Sequence, residues 1–172
     1  MLFIWILLAV ALLFGAVVFF GAPYVPSLQA HVSNAFGSLY PIKKGDVVVD
    51  LGAGDGRVLR SAVGKGAFGY GVELNPLLAA IAQLRLGRNG TITYGNMWRY
   101  RLPDDVTLVY VFAVSRDIGK LERYLQREAN RLGRSVVTMT FGAALINHSP
   151  LRALKAHTLY EIMPSQPKKH KV

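Results

Sequence analysis

The order of apolar and polar positions divides the chain into two unlike materials. From Met1 to Ala22 no side chain is charged and the apolar residues run all the way round any helix drawn through them (MLFIWILLAVALLFGAVVFFGA). Past Ile42, short apolar runs alternate with amphipathic stretches. Val47-Val48-Val49-Asp50-Leu51 predicts a buried strand, closed by the turn Gly52-Ala53-Gly54-Asp55-Gly56 and followed by a short helix from Arg57 to Val63. Phe68 to Glu73 predicts a second strand. Asn75-Pro76 pairs a cap with a first-turn proline, opening a helix that runs to about Arg88 and stops at Asn89-Gly90. Thr91 to Tyr94, Val106 to Val114 and Ser135 to Phe141 predict three more strands. Between the last two, Ile118, Leu121, Leu125 and Leu132 share one helical face, with Ser115 or Asp117 as cap and Gly133 as stop. Leu28 to Leu39 predicts a short helix capped by Ser27, Leu151 to Ala156 a last helix, and His157 to Met163 a last strand. Strands alternating with helices, several apolar throughout, predict an α/β domain whose parallel sheet is covered on both faces, with ligands at the carboxyl ends of its strands.

The leader predicts one transmembrane helix. At about 1.5 Å per residue it spans roughly 33 Å, against a hydrocarbon core of about 30 Å. A secretory signal peptide calls for a positive n-region and a shorter apolar core, and here no Lys or Arg precedes the run. The expected organisation is therefore a membrane helix over residues 1–22, a lead-in segment and helix over 23–45, a ligand-binding domain over 46–163 and a basic tail over 164–172. The nearest cations after the span are Lys43 and Lys44, which places the globular part on the cytoplasmic side.

Composition narrows the chemistry. The chain is 52% apolar with a mean hydropathy of +0.30, yet carries a net charge of +10. Cysteine is absent, which excludes a disulfide scaffold, thiolate metal sites and any cysteine nucleophile. The four histidines are scattered with no H-x-x-x-H pair, which argues against a metal enzyme. The basic surface is read as attraction to anionic headgroups rather than to nucleic acid.

Three strand ends carry candidate binding residues. The turn reads G-x-G-x-G behind a strand-terminal acid, not the dinucleotide pattern G-x-G-x-x-G. Such a turn brings backbone close to a ligand and is expected to offer free amides. Asp50 and Asp55 flank it, repelling a pyrophosphate and suiting a cationic ligand. That favours S-adenosylmethionine, which bears an ammonium and a sulfonium and no phosphate. Glu73 ends the second strand, where a carboxylate can take both ribose hydroxyls. Asn96 follows the third, placed to meet an adenine edge, with Met97 or Trp98 against the ring.

These segments resemble class I S-adenosylmethionine-dependent methyltransferases, and more narrowly the small protein-lysine methyltransferases that include the ATP synthase c-subunit enzymes and their archaeal relatives. The likeness rests on Tyr24-Val25-Pro26-Ser27, on Asp50 through Arg57 (DLGAGDGR), on Gly71-Val72-Glu73-Leu74-Asn75-Pro76 and on Val111-Phe112-Ala113-Val114. It implies a Rossmann-like sheet with helices on both faces, preceded by the membrane helix. It implies S-adenosyl-L-methionine as cofactor, held by Tyr24, Asp50, Gly52, Ala53, Gly54, Asp55, Gly56, Glu73, Leu74, Asn75, Asn96, Met97 and Trp98, and no metal. Tyr24 and Ser115 are candidates for lining the reacting end; no general base is assigned. The chain departs from the family at Asn96-Met97-Trp98, at Ser115 and at Gly142-Ala143-Ala144-Leu145-Ile146-Asn147, the side that shapes an acceptor pocket. A protein lysine near the bilayer is the expected acceptor. A lipid amine or membrane-soluble small molecule, or a non-catalytic cofactor-binding scaffold, are the alternatives. Ala113-Val114-Ser115-Arg116 lacks the motif of nucleobase amino-methylation. Oligomeric state is not fixed by the sequence.

Overall fold

Strand β1 (Val47–Leu51) is buried at all five positions, and a strand apolar on both faces belongs at the middle of a covered sheet. The structure, a computed structural model, describes residues 3–6, 8 and 29–165. In it α1 (Gln29–Ser38) precedes β1, and the turn leads into α2 (Arg57–Val63). Then follow β2 (Phe68–Glu73), α3 (Pro76–Leu86), β3 (Gly90–Tyr94), β4 (Leu108–Ala113), α4 (Ile118–Leu132), β5 (Val136–Gly142), β6 (Arg152–Leu154) and β7 (His157–Ile162). Among the described residues the strands form one seven-stranded sheet in the order β3-β2-β1-β4-β5-β7-β6.

Two cores lie on the two sides of this sheet. On one side α4 packs Ile118, Leu121, Leu125 and Ala129 over Val49, Val109, Val111 and Ile162. On the other, Val32 and Phe36 of α1, Val58 and Leu59 of α2, and Ala82 and Leu86 of α3 cover Val48, Leu108, Tyr110 and Met139. Chain order reverses at β1: the chain moves outward to β2 and β3, then returns to lay β4 on the opposite edge of β1. Beyond the carboxyl ends of β1 and β4 such a reversal leaves a crevice.

The structure corrects the expectation of a wholly parallel sheet. Strands β1 to β5 are parallel, but β7 runs antiparallel to β5 and β6 antiparallel to β7. The helix expected over Leu151 to Ala156 is instead β6 and a tight turn, with Lys155 at φ 54 and register Leu154↔His157. The Leu-Arg-Ala-Leu spacing suits a helix, but it pairs with an exposed edge of β7 that offers a whole ladder. Helix α4 is also not capped by Ser115 or Asp117: a single 3-10 turn, Ser115–Asp117, leads into it without a side-chain cap bond. Among the described residues no helix is long and apolar enough to cross a membrane. The span expected over Met1 to Ala22 lies outside the described residues except 3–6 and 8, which are helical with exposed side chains. Ser27, Tyr24 and the tail from residue 166 onward also lie outside them.

Candidate functional site

The glycine turn is built from its own sequence. Gly52 (φ 91) turns the chain off β1, and its amide and that of Ala53 both donate to the Val72 carbonyl of β2, at 2.9 and 3.0 Å. Gly56 (φ 78) opens α2, and a Cβ there would sit 2.9 Å from the Ala82 Cα of α3. Only a residue without a side chain satisfies both the left-handed backbone and this approach.

Glu73 locks the turn to β2. Its Oε2 accepts from the Gly54 amide at 2.8 Å and its Oε1 from the Asn75 amide at 2.7 Å. The carboxylate is buried, and a carboxylate has about four acceptor sites, so each oxygen keeps capacity for a further donor. Asn75 is the N-cap of α3, its Oδ1 accepting from Leu77 and Leu78 at 2.9 and 3.2 Å. Its buried Nδ2 has no hydrogen-bond partner among the described residues.

Asp50 is buried at the end of β1, one residue before the last position of the strand and two before the turn's first glycine. Desolvation, with the nearby charges of Glu73 and Asp55, pushes its carboxyl up to about 8. A neutral carboxyl so placed ionises readily when a cation arrives beside it.

Two expectations about this turn are corrected. The amides of Gly52, Ala53, Gly54 and Gly56 are all engaged within the protein, the last with the Ala53 carbonyl at 2.9 Å, so the turn is not a cradle of free donors. Asp55 does not face a ligand alone. Arg57 and Arg85 each bind its Oδ2 at 2.6 Å, and Arg85 also donates to its carbonyl at 2.8 Å. Although burial alone would raise its pKa, these guanidinium groups hold the Asp55 carboxyl well below the usual range. Arg85 was invisible to local reading because it reaches Asp55 from the far end of α3.

The third strand end is more open. Asn96 is exposed and its Oδ1 accepts from the Trp98 amide at 3.0 Å, capping the 3-10 turn Met97–Arg99. Met97 and Trp98 are half-buried against the core under α4, and Lys120 Nζ lies 4.4 Å from the centre of the Trp98 ring. Leu74 is half-buried between Glu73 and Asn75. Ser115 is exposed in the turn after β4. Asp50, Gly52 through Gly56, Glu73, Leu74 and Asn75 thus come together over β1 and β2; Asn96, Met97 and Trp98 stand at the neighbouring end of β3.

On the other side of the crevice a second carboxylate organises backbone. Glu122 of α4 accepts from the Ile146 and Asn147 amides, both at 2.7 Å, and from Asn147 Nδ2 at 2.6 Å. It pins the segment after β5, and these bonds lower its pKa against the effect of burial. A signal for it was present: an acid at the edge of the apolar stripe of a basic helix. On the face covered by α1, α2 and α3, Tyr110 Oη and His157 Nε2 lie 3.1 Å apart, buried, and Phe112 and Phe141 pair at 5.8 Å near the ends of β4 and β5. Burial, with His31 nearby, lowers the His157 pKa to about 4.

This sheet order and turn define the class I methyltransferase fold, and the comparisons agree. An RNA methyltransferase from Salinibacter ruber, crystallised with S-adenosyl-L-homocysteine, superposes with a TM-score of 0.68 at 22% identity, covering 84% of this chain and 97% of that one. A SAM-dependent methyltransferase from Thiobacillus denitrificans, also with S-adenosyl-L-homocysteine, gives 0.53 at 22% identity over 73% of this chain and 52% of that one. At such identities the likeness establishes the fold. In sequence the chain is similar to the lysine N-methyltransferases of the ATP synthase c-subunit: 30% identical to that of Xenopus laevis over 66% of this chain and 51% of the relative, and 31% identical to that of Homo sapiens over 62% and 46%. The resemblance drawn from the motifs is thus to homologues at about 30% identity. The chain spans about half the length of the curated relatives it matches. No protein-family model matches it.

Proposed function

We propose that the chain is an S-adenosylmethionine-dependent methyltransferase acting on a protein lysine close to a membrane. One observation carries the reading: at the crevice where chain order reverses, a buried carboxyl (Asp50) and a buried carboxylate with spare acceptor capacity (Glu73) bracket a glycine turn.

The residues fit the methyl donor. Gly52 is exposed, and a Cβ there would meet nothing within 4 Å, so the turn borders open space. The orphaned Asn75 Nδ2 is a donor in want of an acceptor. Glu73 would take ribose hydroxyls on its remaining lone pairs, and Asp50 would meet the ammonium group. Asn96, with Met97 and Trp98, would border the adenine. When bound, the donor supplies an electrophilic methyl group. The chain's own part is to orient the partners and exclude water. The Phe112–Phe141 pair, near the ends of β4 and β5, would give an acceptor there an apolar wall. Apolar surroundings favour a neutral lysine amine, the form that can accept a methyl group. Met1 to Ala22 would anchor the domain in the bilayer from the cytoplasmic side, leaving acceptors near the headgroups within reach. The name borne by the homologues supports lysine over a lipid amine.

The test incubates membranes with the full chain and methyl-labelled donor. The expected result is label recovered as methyl-lysine in a protein band. Label in the lipid extract would make a lipid amine the acceptor. Donor binding with no transfer would leave a scaffold, and NAD binding with no affinity for S-adenosylmethionine would overturn the site itself.

A further inference from the structure

Helix α4 sorts its charges by side. Its two acids, Glu122 and Glu128, are buried: Glu122 holds the segment after β5, and Glu128 accepts from the Leu102 amide and from Arg131. Lys120, Arg123 and Arg127 are exposed, at i, i+3 and i+7 along one stripe, with Arg127 also resting on the Tyr124 ring, Glu128 and the Trp98 carbonyl. Arg123 makes no hydrogen bond or ion pair among the described residues, and Lys120 rests only on the Trp98 ring. Lys120 lies in the first turn, where the helix macrodipole disfavours a cation, with Asp117 at the N-cap position as the acid at that end. Exposed cations with so few partners are open to an external anion.

An apolar side chain stands beside them. Ile146 is 78% exposed, although its backbone is fastened to α4 through Glu122. Asn147 and His148 line a shallow depression with Gly119, Glu122, Arg123 and Gln126, so Arg123 joins the cationic stripe to the segment that carries Ile146. Helix α4 begins just after the carboxyl end of β4, and this segment follows that of β5, so the patch borders the same sheet edge as the glycine turn.

We infer that this patch, Lys120, Arg123 and Arg127 with Ile146 at its margin, docks on a bilayer rich in anionic headgroups. Cations at headgroup level beside an apolar tip at the acyl boundary match an interfacial surface. A nucleic acid would meet the cations but has no use for an exposed isoleucine. Docking would hold the crevice facing the membrane surface. The inference shares with the proposed function the premise of work at a bilayer, but it does not depend on methyl transfer.

The absence of cysteine makes the test direct. Ile146→Cys on the patch and Leu84→Cys on α3, 84% exposed on the other side of the sheet, each give the full chain a single site for a nitroxide. The chain is reconstituted in phosphatidylcholine vesicles with or without phosphatidylserine. The label at 146 is expected to gain contact with oxygen and lose contact with a water-soluble nickel complex only when phosphatidylserine is present. The label at 84 stays in water throughout. Raised salt should reverse the effect, and each of Lys120→Ala, Arg123→Ala and Arg127→Ala should weaken it by about five-fold. Circular dichroism and binding of S-adenosylhomocysteine report that the variants remain folded, so loss of docking with intact binding separates this inference from the donor-site reading. A label at 146 as wet as that at 84 on anionic vesicles overturns it. So does immobilisation at 146 by single-stranded RNA with none by vesicles.

Discussion

The two sides of the crevice use buried polar groups differently. Beside β1 and β2, the ties stay within the stretch from β1 to α3: Glu73 takes Asn75 and Gly54, and Asp55 is clamped by Arg57 of α2 and Arg85 of α3. Beside β4, β5 and β7, the ties reach into the segment after β5 and the antiparallel edge: Tyr110 meets His157, Glu122 meets Asn147, and the Tyr160 hydroxyl accepts from the Leu145 amide. The first arrangement is a turn held by the strand and two helices that follow it directly, β2, α2 and α3. The second exists only once the antiparallel edge has formed. The turn beside β1 and β2 can therefore keep its form while the opposite side changes with whatever follows β5.

Breaking the local half should have the largest effect. Gly56→Val places a branched side chain on a left-handed backbone and against Ala82. The expected loss of stability is roughly 2–4 kcal/mol, combining backbone strain and overpacking. Denaturant unfolding measures it, and a loss below about 0.5 kcal/mol, the scale of ordinary surface changes, would mean that α2 and α3 part freely. Next, Glu73→Gln turns an amide group toward backbone donors that need acceptors. Donor affinity should fall by roughly 1.5–3 kcal/mol by calorimetry.

Glu122→Gln sharpens the contrast. It removes an acceptor from the segment after β5 and should destabilise by about 1–2 kcal/mol, with methyl transfer reduced and donor affinity kept. Equal losses of donor affinity in the Glu73 and Glu122 variants would show that the halves are not independent.

The remaining effects are slopes of stability with pH, each at most about 1.4 kcal/mol per pH unit. For His157 the folded pKa of about 4 lies below the ordinary 6.5, so the unfolded chain binds more protons between them. Its contribution is complete above pH 6.5 and is lost as pH falls towards 4; His157→Gln should flatten that limb. For Asp50 the folded value of about 8 lies above 3.8, so the folded chain binds more protons and stability declines as pH rises through this window. Asp50→Asn should remove that opposing slope, leaving a steeper gain from pH 4 to 6.5.

Much of the parallel half was legible because its signals are local. The apolar run Val47 to Leu51, the cap Asn75 with Pro76, and the stop at Gly133 each carry their reason within a few residues. The glycine turn was recognisable, but the fate of its amides was not, since Val72 receives two of them from across the β1–β2 pair. The Arg85 clamp on Asp55, the hairpin of β6 and β7, and the Tyr110–His157 pair depend on tertiary neighbours that periodicity does not encode.

The Glu73 clamp has a kinetic consequence. Because Gly54 and Asn75 are already bound to it, ordering of the turn belongs to folding and not to ligand capture. Donor association should then proceed in a single phase, its rate linear in concentration without the plateau that a slow loop closure imposes. Molecules that differ only in the transferable methyl group should enter at similar rates and be told apart by how quickly they leave.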